Sequence, residues 1–283
     1  VATRITKIDN SHTIQGEFVH PQAIGFEQWA IPGHMISIIR KNDMSHLKTC
    51  EVEGFHLLTA KTFILTFKDV LPQEIAVSDS LENLSRTAAI TCRNNYFGNC
   101  RARGILITTP KPVLVENNVF ESSGAAILIA GDATTWYESG SCLDVVIRNN
   151  YFGESCLTSL YGGGDAIISI HPEVDLPNKG LPFHKNISIV ENTFQTSDAP
   201  ILYAFCSQSI NFSKNNIVRN YSYTPWNNET AMLTFAYCCD VLVGENKLIG
   251  DVLNPIVSIS NMNLQDILQL GKEQLKIEML EKE

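Results

Sequence analysis

Basic residues are scarce. Lys and Arg number 21 against 30 Asp and Glu, a formal charge of −9. The chain therefore lacks the clustered cations that a phosphate backbone requires, and nucleic acid is not an expected partner. Long hydrophobic runs are missing as well. None approaches about 18 residues, so no membrane span is expected. None of the eight cysteines forms a CxxC pair, so a zinc site lacks its usual spacing. Cys50, Cys92, Cys100, Cys142, Cys156, Cys206, Cys238 and Cys239 are scattered along the chain. That scatter fits buried free thiols better than a disulfide framework. The opening residues VATRITKIDN hold neither an initiator Met nor an apolar stretch of signal-peptide type. The chain reads as mature, trimmed or truncated; its compartment and oligomeric state are not legible. Charged residues make up 18% and hydrophobic residues 44%. This is the balance of a folded chain, and 283 residues suffice for a sizeable core or one elongated repeat domain.

What the sequence does have is a repeat. AAITCRNNYF (88–97), PVLVENNVF (112–120), DVVIRNNYF (144–152) and NISIVENTF (186–194) share one template: alternating apolar residues, Asn, any residue, then Phe. SINFSKNNI (209–217) and DVLVGENKL (240–248) are weaker copies. The template asparagines are Asn95, Asn118, Asn150, Asn192, Asn215 and Asn246, spaced 23, 32, 42, 23 and 31 residues apart. A second alternating piece follows most copies: GILITT, AAILIA, DAIISI, APILYA and AMLTFA. Alternation in such short pieces means strands. A minimum period near 23 with several strands per turn predicts an all-β chain, a right-handed parallel β-helix wound as a single-stranded solenoid. Stacked about 4.8 Å apart, the asparagines would bond one another in a ladder and the phenylalanines would stack inside. Five Asn-x-Ser/Thr sequons also occur, at Asn83, Asn186, Asn211, Asn220 and Asn228. The general richness in asparagine accounts for them.

Departures from the period locate insertions. Nine extra residues between Asn118 and Asn150 fall on GDATTWYESG. The next interval carries nineteen, covering YGGGD (161–165) and HPEVDLPNKGLPFH (171–184), and the last carries eight. Two adjacent coils thus grow loops after the same strand, and a groove flanked by such loops is where carbohydrate binds on a β-helix (an argument by fold analogy). Residues 1–87 alternate without the template and are read as irregular coils of the same β-helix, running 1–255, with regular Asn-x-Phe coils over 88–250. Residues 256–283 are read as a short helical tail. Leu264, Ile267 and Leu268 have helical spacing, as do Leu275, Met279 and Leu280, either as a cap or as a frayed charged helix.

NCRARGILITTP (99–110), VLVENNVF, AILIAGDATTWYESG and DVVIRNNYF, in that order, resemble the C-terminal part of glycoside hydrolase family 110, bacterial α-1,3-galactosidases. DSLENLSR (79–86) and FVHPQAIGFEQW (18–29) are similar to upstream pieces of the same family. The resemblance spans roughly 18–248. It implies a right-handed β-helix, exo-cleavage of terminal α-1,3-linked galactose with inversion, no metal or other cofactor, a galactose-terminated glycan as partner, and a periplasmic or extracellular location. The family's Asp-Asp-Gly segment, read as its catalytic acids, has no counterpart here; the chain starts just after where it would lie. The resemblance therefore implies either a fragment of a longer enzyme or a shortened homologue, with little activity alone. Its other catalytic carboxylate maps to Glu27.

Inverting glycosidases need two carboxyl groups roughly 6.5–9.5 Å apart. Glu27 is the catalytic candidate; the bland alternative is a solvated acid beside Gln28. Gln22 and Trp29 from the same segment, and Arg103, Asp132, Trp136, Glu138, His171 and Glu173 from the looped coils, are the candidate substrate contacts. Aligning AAILIAGDA with DAIISIHPE sets Asp132 opposite Pro172 and beside Glu173. Asp132 after Gly131 also suits a plain turn. Trp136 could stack on a sugar ring or cover a strand edge. Arg103 could fork a hydroxyl or carboxylate, or pair with Glu121 or Asp132. His20, Gln22, His171 and His184 each have a structural alternative. A polysaccharide lyase on the same fold is a second function; dispersed acids and few lysines in the looped coils speak against its Ca²⁺ clusters and basic catalyst. A non-catalytic carbohydrate-binding β-helix is a third.

Overall fold

The computed structural model describes residues 2–19, 28–133, 136–159, 164–173, 182–270 and 275–279. All regular structure among them is β-strand, apart from 3₁₀ turns at Leu84–Arg86 and Leu264–Asp266 and 3₁₀ backbone at Gln28.

The first part is a closed antiparallel barrel. Its strands are β1 (Ala2–Ile8), β2 (Thr13–Glu17), β3 (Met35–Ile39), β4 (His46–Leu57), β5 (Thr62–Phe67) and β6 (Ser80–Asn83), joined in the order β1-β2-β5-β4-β3-β6 and back to β1. The reading of residues 1–87 as irregular coils is thereby corrected. Alternation fixes that a segment is a strand, but the connection decides its partner. The β1–β2 and β4–β5 links are tight. Asn10 caps its own turn by accepting from the His12 N–H at 2.8 Å. The Thr59 hydroxyl accepts from the N–H groups of Lys61 and Thr62 at 3.1 and 3.0 Å. Tight turns return a strand antiparallel beside its predecessor. Phe18, Trp29, Phe55 and Phe63 fill the barrel with rings 5.1–6.1 Å apart. Gly16 lies under the Phe63 ring, where a Cβ would come within 2.4 Å of it.

From residue 90 the chain visits three parallel sheets in rotation. The first sheet holds β7 (Ile90–Arg93), β10 (Val113–Glu116), β13 (Val145–Arg148), β16 (His184–Val190), β19 (Ser207–Ser213), β22 (Cys239–Val243) and β25 (Ile267–Gln269). The second holds β8 (Tyr96–Gly98), β11 (Val119–Glu121), β14 (Tyr151–Phe152), β17 (Thr193–Thr196), β20 (Asn216–Arg219) and β23 (Lys247–Ile249). The third holds β9 (Arg103–Ile107), β12 (Ala125–Ile129), β15 (Ile168–Ile170), β18 (Leu202–Phe205), β21 (Leu233–Ala236), β24 (Ile256–Ser260) and β26 (Lys276–Met279). In each sheet the strands stack in chain order, an arrangement compatible with a β-helix.

The template residues do what their stacking requires. Between the first and second sheets the corner is two residues, the first with left-handed backbone (Asn94, Asn117, Asn149, Glu191 and Lys214, φ 53–58°) and the second the template Asn. Each Asn amide donates to the Asn oxygen of the next circuit, from Asn95 to Asn118, Asn150, Asn192, Asn215 and Asn246, at 3.0–3.1 Å. Phe97, Phe120, Phe152 and Phe194 stack at 4.6–5.1 Å.

No helical tail is present among the described residues. Ile267 pairs with Val241, and Ile277 with Val257, so the segment extends the first and third sheets. The helical spacing of Leu264, Ile267 and Leu268 loses to the apolar columns already formed by Val113, Val145, Ile187, Ile210 and Val241. All eight cysteines are free thiols. Burial pushes those of Cys142, Cys156 and Cys238 up to about 12.

Candidate active-site cleft

Strand β6 is buried from end to end, at Ser80, Leu81, Glu82 and Asn83. Leu81 points into the barrel core. Ser80 and Glu82 point the other way, toward the loop that leaves β12. The Ser80 hydroxyl donates to the Ala133 carbonyl. One Glu82 oxygen, Oε1, accepts from the Ser139 hydroxyl and from the Gly140 N–H at 3.1 Å. The Ala2 N–H donates to the Tyr137 carbonyl at 2.8 Å. Ala133, Tyr137 and Phe183 pack with Ala2, Ile39 and Met44 of the barrel in one buried cluster. The loop over 130–144 is thus the joint between the barrel and the sheets. It is shaped from within by Asp132, whose carboxylate accepts from the Trp136 N–H and whose backbone bonds Glu138 and Ser139.

Beside this joint a cleft of about 860 Å³ opens between the two parts of the chain. The barrel wall supplies Arg40, Asp43, His46, Glu74 and Glu82; the sheets supply Leu143, Phe183, Lys185 and Asn186. Its volume lies in the range of small-molecule sites. Three carboxylates and three basic side chains line it, a polar mixture suited to a hydroxyl-rich ligand. Glu82 Oε2 has no hydrogen-bond partner among the described residues. His46 Nε2 lies 2.9 Å from the Thr49 hydroxyl. Shielding by the cleft walls lowers the basicity of His46, and Glu82 partly opposes this. His184, behind the cleft, is fully buried. Its Nδ1 accepts from the Cys142 N–H at 3.1 Å, and Nε2 has no partner among the described residues. Burial, and then His171, push its pKa down to about 3. It is a neutral structural group.

With this geometry in view, the similarities are informative. Residues 13–81, most of the barrel, match the family model described as GLAA-B beta-barrel domain II. The chain is 40% identical over 265 residues to alpha-1,3-galactosidase B of Bacteroides thetaiotaomicron, covering 94% of this chain and 43% of that protein. The chain is a homologue of bacterial α-1,3-galactosidases. The galactosidase B of Akkermansia muciniphila is 38% identical over 87% of this chain and 31% of its own length. The galactosidase A of Bacteroides fragilis strain YCH46 is 31% identical over 93% of this chain and 43% of its own. The chain therefore spans less than half the length of these galactosidases.

The residues singled out from the sequence fall in four places. Glu27 and Gln22, with His20, lie outside the described residues. Trp29 is buried in the barrel, packed against Phe18, Phe55 and Phe63. Asp132, Trp136, Glu138, His171 and Glu173 share one corner, after β12 and β15. The Glu173 N–H donates to the Gly131 carbonyl at 3.1 Å, which joins the starts of the two loops. Ile129 pairs with Ile170, so the register sets Asp132 level with Glu173, one residue from the expected Pro172. Asp132 is buried, whereas Trp136 is 63% exposed and Glu138, His171 and Glu173 are open to solvent. The His171 ring stands edge-on to Tyr203 and Phe205, at 5.8 and 5.7 Å. Arg103 starts β9, about 13 Å of strand away from the corner. The Glu121 carboxylate bonds Ser155 rather than Arg103.

The galactosidase-type barrel brings residues that sequence reasoning missed. Glu82 is foremost. Its only signal was membership of DSLENLSR, one of the segments resembling the family, with an acid on an otherwise buried strand.

Proposed function

We propose that this chain is the C-terminal part of an exo-acting α-1,3-galactosidase that releases terminal α-1,3-linked galactose with inversion. The observation that carries the reading is the similarity itself, which covers 94% and 87% of the chain, barrel and sheets included, in two proteins named α-1,3-galactosidase. In the same proposal the three-sheet winding is a right-handed β-helix, the hand that parallel crossovers take almost without exception. Export to the periplasm or the cell exterior belongs to it too.

The division of labour follows from chemistry. Inversion needs one carboxylic acid to protonate the leaving oxygen and a second carboxylate to activate water. Glu27 is the candidate for one role; the upstream Asp-Asp segment would supply the other. The cleft beside Glu82 holds the galactoside, with Trp136, Glu138, His171 and Glu173 at the adjoining corner. The open first circuit supports the idea that more of the enzyme belongs on that side. Among the described residues, strands β7, β8 and β9 each have a neighbour on one side only. Ile90 is 40% exposed where its successor Val113 is 3% exposed. Asn95 Oδ1 accepts nothing among the described residues, whereas the next five template asparagines each accept from the circuit before.

The test is an assay on an α-1,3-galactosyl disaccharide, using this chain alone and the chain joined to its upstream sequence. The isolated chain should release little galactose, since each missing acid or base typically costs about 10²–10⁴ in rate. The extended chain should turn over, release β-galactose first by NMR, and lose activity with Glu27→Gln. Robust turnover by the isolated chain, lost with Asp132→Asn or Glu173→Gln but not with Glu27→Gln, would overturn the assignment.

A further inference from the structure

The corner between the second and third sheets carries a loop of its own. The connection from β20 to β21 runs over 220–232, where three other circuits use only 99–102, 122–124 and 197–201. It presents three large rings to solvent: Tyr221 at 70%, Tyr223 at 44% and Trp226 at 62% exposure. Surface rings are common singly, but three within six residues form a patch that calls for a partner.

The loop carrying them is fixed. The buried Asp198 carboxylate accepts from the Trp226 N–H at 2.9 Å, the Asn227 N–H at 3.0 Å and the Asn227 side chain at 3.2 Å. Glu154 Oε2, from a neighbouring connection, accepts from the Asn220 amide at 3.0 Å and the Ser222 hydroxyl at 2.7 Å. The Arg219 guanidinium lies 4.9 Å from the Tyr221 ring centre, and the Tyr221 hydroxyl bonds Asp251. The backbone is thus tied down at both ends while the rings stay out. Such a surface loses little freedom on binding.

We propose that residues 220–232 form a binding surface for neutral glycan chains, separate from the cleft and independent of the activity proposed above. Pyranose rings have an apolar C–H face that stacks on Tyr and Trp, and hydroxyls that bond carboxylates and amides. Trp226 and Tyr223 supply the faces; Glu154 and Asn227 supply the polar rim. An anionic partner fits badly. Glu154 and Asp251 bond the loop, and the adjoining cation, Arg219 at the end of β20, lies against Tyr221 and donates to the Ser197 carbonyl. The net charge of −9 repels it further.

Titration calorimetry of this chain with a soluble neutral galactan, with α-1,3-galactobiose and with heparin tests the proposal. The galactan should bind and heparin should not. Trp226→Ala should weaken galactan binding at least about tenfold, while Tyr96→Ala, an exposed ring on β8, should leave it within about twofold. Absence of galactan binding, tighter binding of heparin, or galactan binding unchanged by Trp226→Ala would overturn it. If Trp226→Ala lowers the melting temperature, a Trp136→Phe background decides. There Trp29 is buried and Trp226 is the exposed indole, so galactan must change its fluorescence; an unchanged spectrum overturns the proposal.

Discussion

Asn150 joins three circuits with one side chain. Its amide donates to Asn192 Oδ1 at 3.0 Å and to the Val115 carbonyl at 2.9 Å, and its oxygen accepts from the Asn118 backbone and amide at 2.9 and 3.0 Å. Removing it strands several buried donors and acceptors, so Asn150→Ala should cost about 3 kcal/mol. The same change at exposed Asn95 should cost under about 1 kcal/mol, and urea midpoints of the two variants compare them directly. His184 makes a different prediction. Burial holds it neutral to about 3, so below its ordinary value near 6.5 the unfolded chain binds the extra proton. Its contribution is fully present above pH 6.5 and falls by about 1.4 kcal/mol for each pH unit between there and about 3. Urea unfolding at pH 7 and pH 5 should show the slope, and His184→Asn should flatten it. The ladder was legible because identical residues recur at a fixed place in the template. Glu82 was not, since an acid on a strand looks solvated until the surface that covers it is known.

The 130–144 loop shows how an element acquires its role from what it meets. Its Asp, Trp, Tyr and Glu suggested a sugar-binding wall, and Trp136 and Glu138 do face solvent. Yet its buried side is the barrel's socket. Glu82→Ala would leave the Ser139 hydroxyl and the Gly140 N–H without an acceptor, at a cost of about 2 kcal/mol. Barrel and sheets should then separate in stability, and unfolding followed by tryptophan fluorescence, which reports Trp29 in the barrel, should precede loss of the β-sheet signal. The strands of this region were legible from alternation, but their pairing was not. Period two says which face is buried. It does not distinguish a strand that turns back, as β4 and β5 do around Thr59, from one that travels round to meet its copy. The tail failed for a related reason: Leu264, Ile267 and Leu268 satisfy a helical spacing in isolation, and only the Val241 column shows that Ile267 continues a sheet.

Across the whole molecule, the two ends of the stack differ. At the β7–β9 end, positions that are buried in every circuit from the second to the fourth are open. Ile90→Lys should therefore leave the urea midpoint nearly unchanged, whereas Val113→Lys, one circuit in, should cost at least about 3 kcal/mol or prevent folding. This open end was not legible, because reading residues 1–87 as further coils would have covered it, whereas they form the barrel. The barrel's seat against the sheets was not legible, because it depends on side chains brought together from segments far apart in sequence. The asparagine ladder adds a direction. The oxygens of Asn118, Asn150, Asn192, Asn215 and Asn246 each face the circuit before, whose Asn donates to them, while from Asn118 on each amide also sends an N–H back to a backbone carbonyl of that earlier circuit, such as that of Cys92 or Val115. Its exposed start ends in the lone pairs of Asn95, negative and acceptor-only. A strand arriving there must bring hydrogen-bond donors at that corner, as another template asparagine would. At this corner a circuit offering only its own amide oxygen could not pair, so the register of an added circuit is set by where its donors fall.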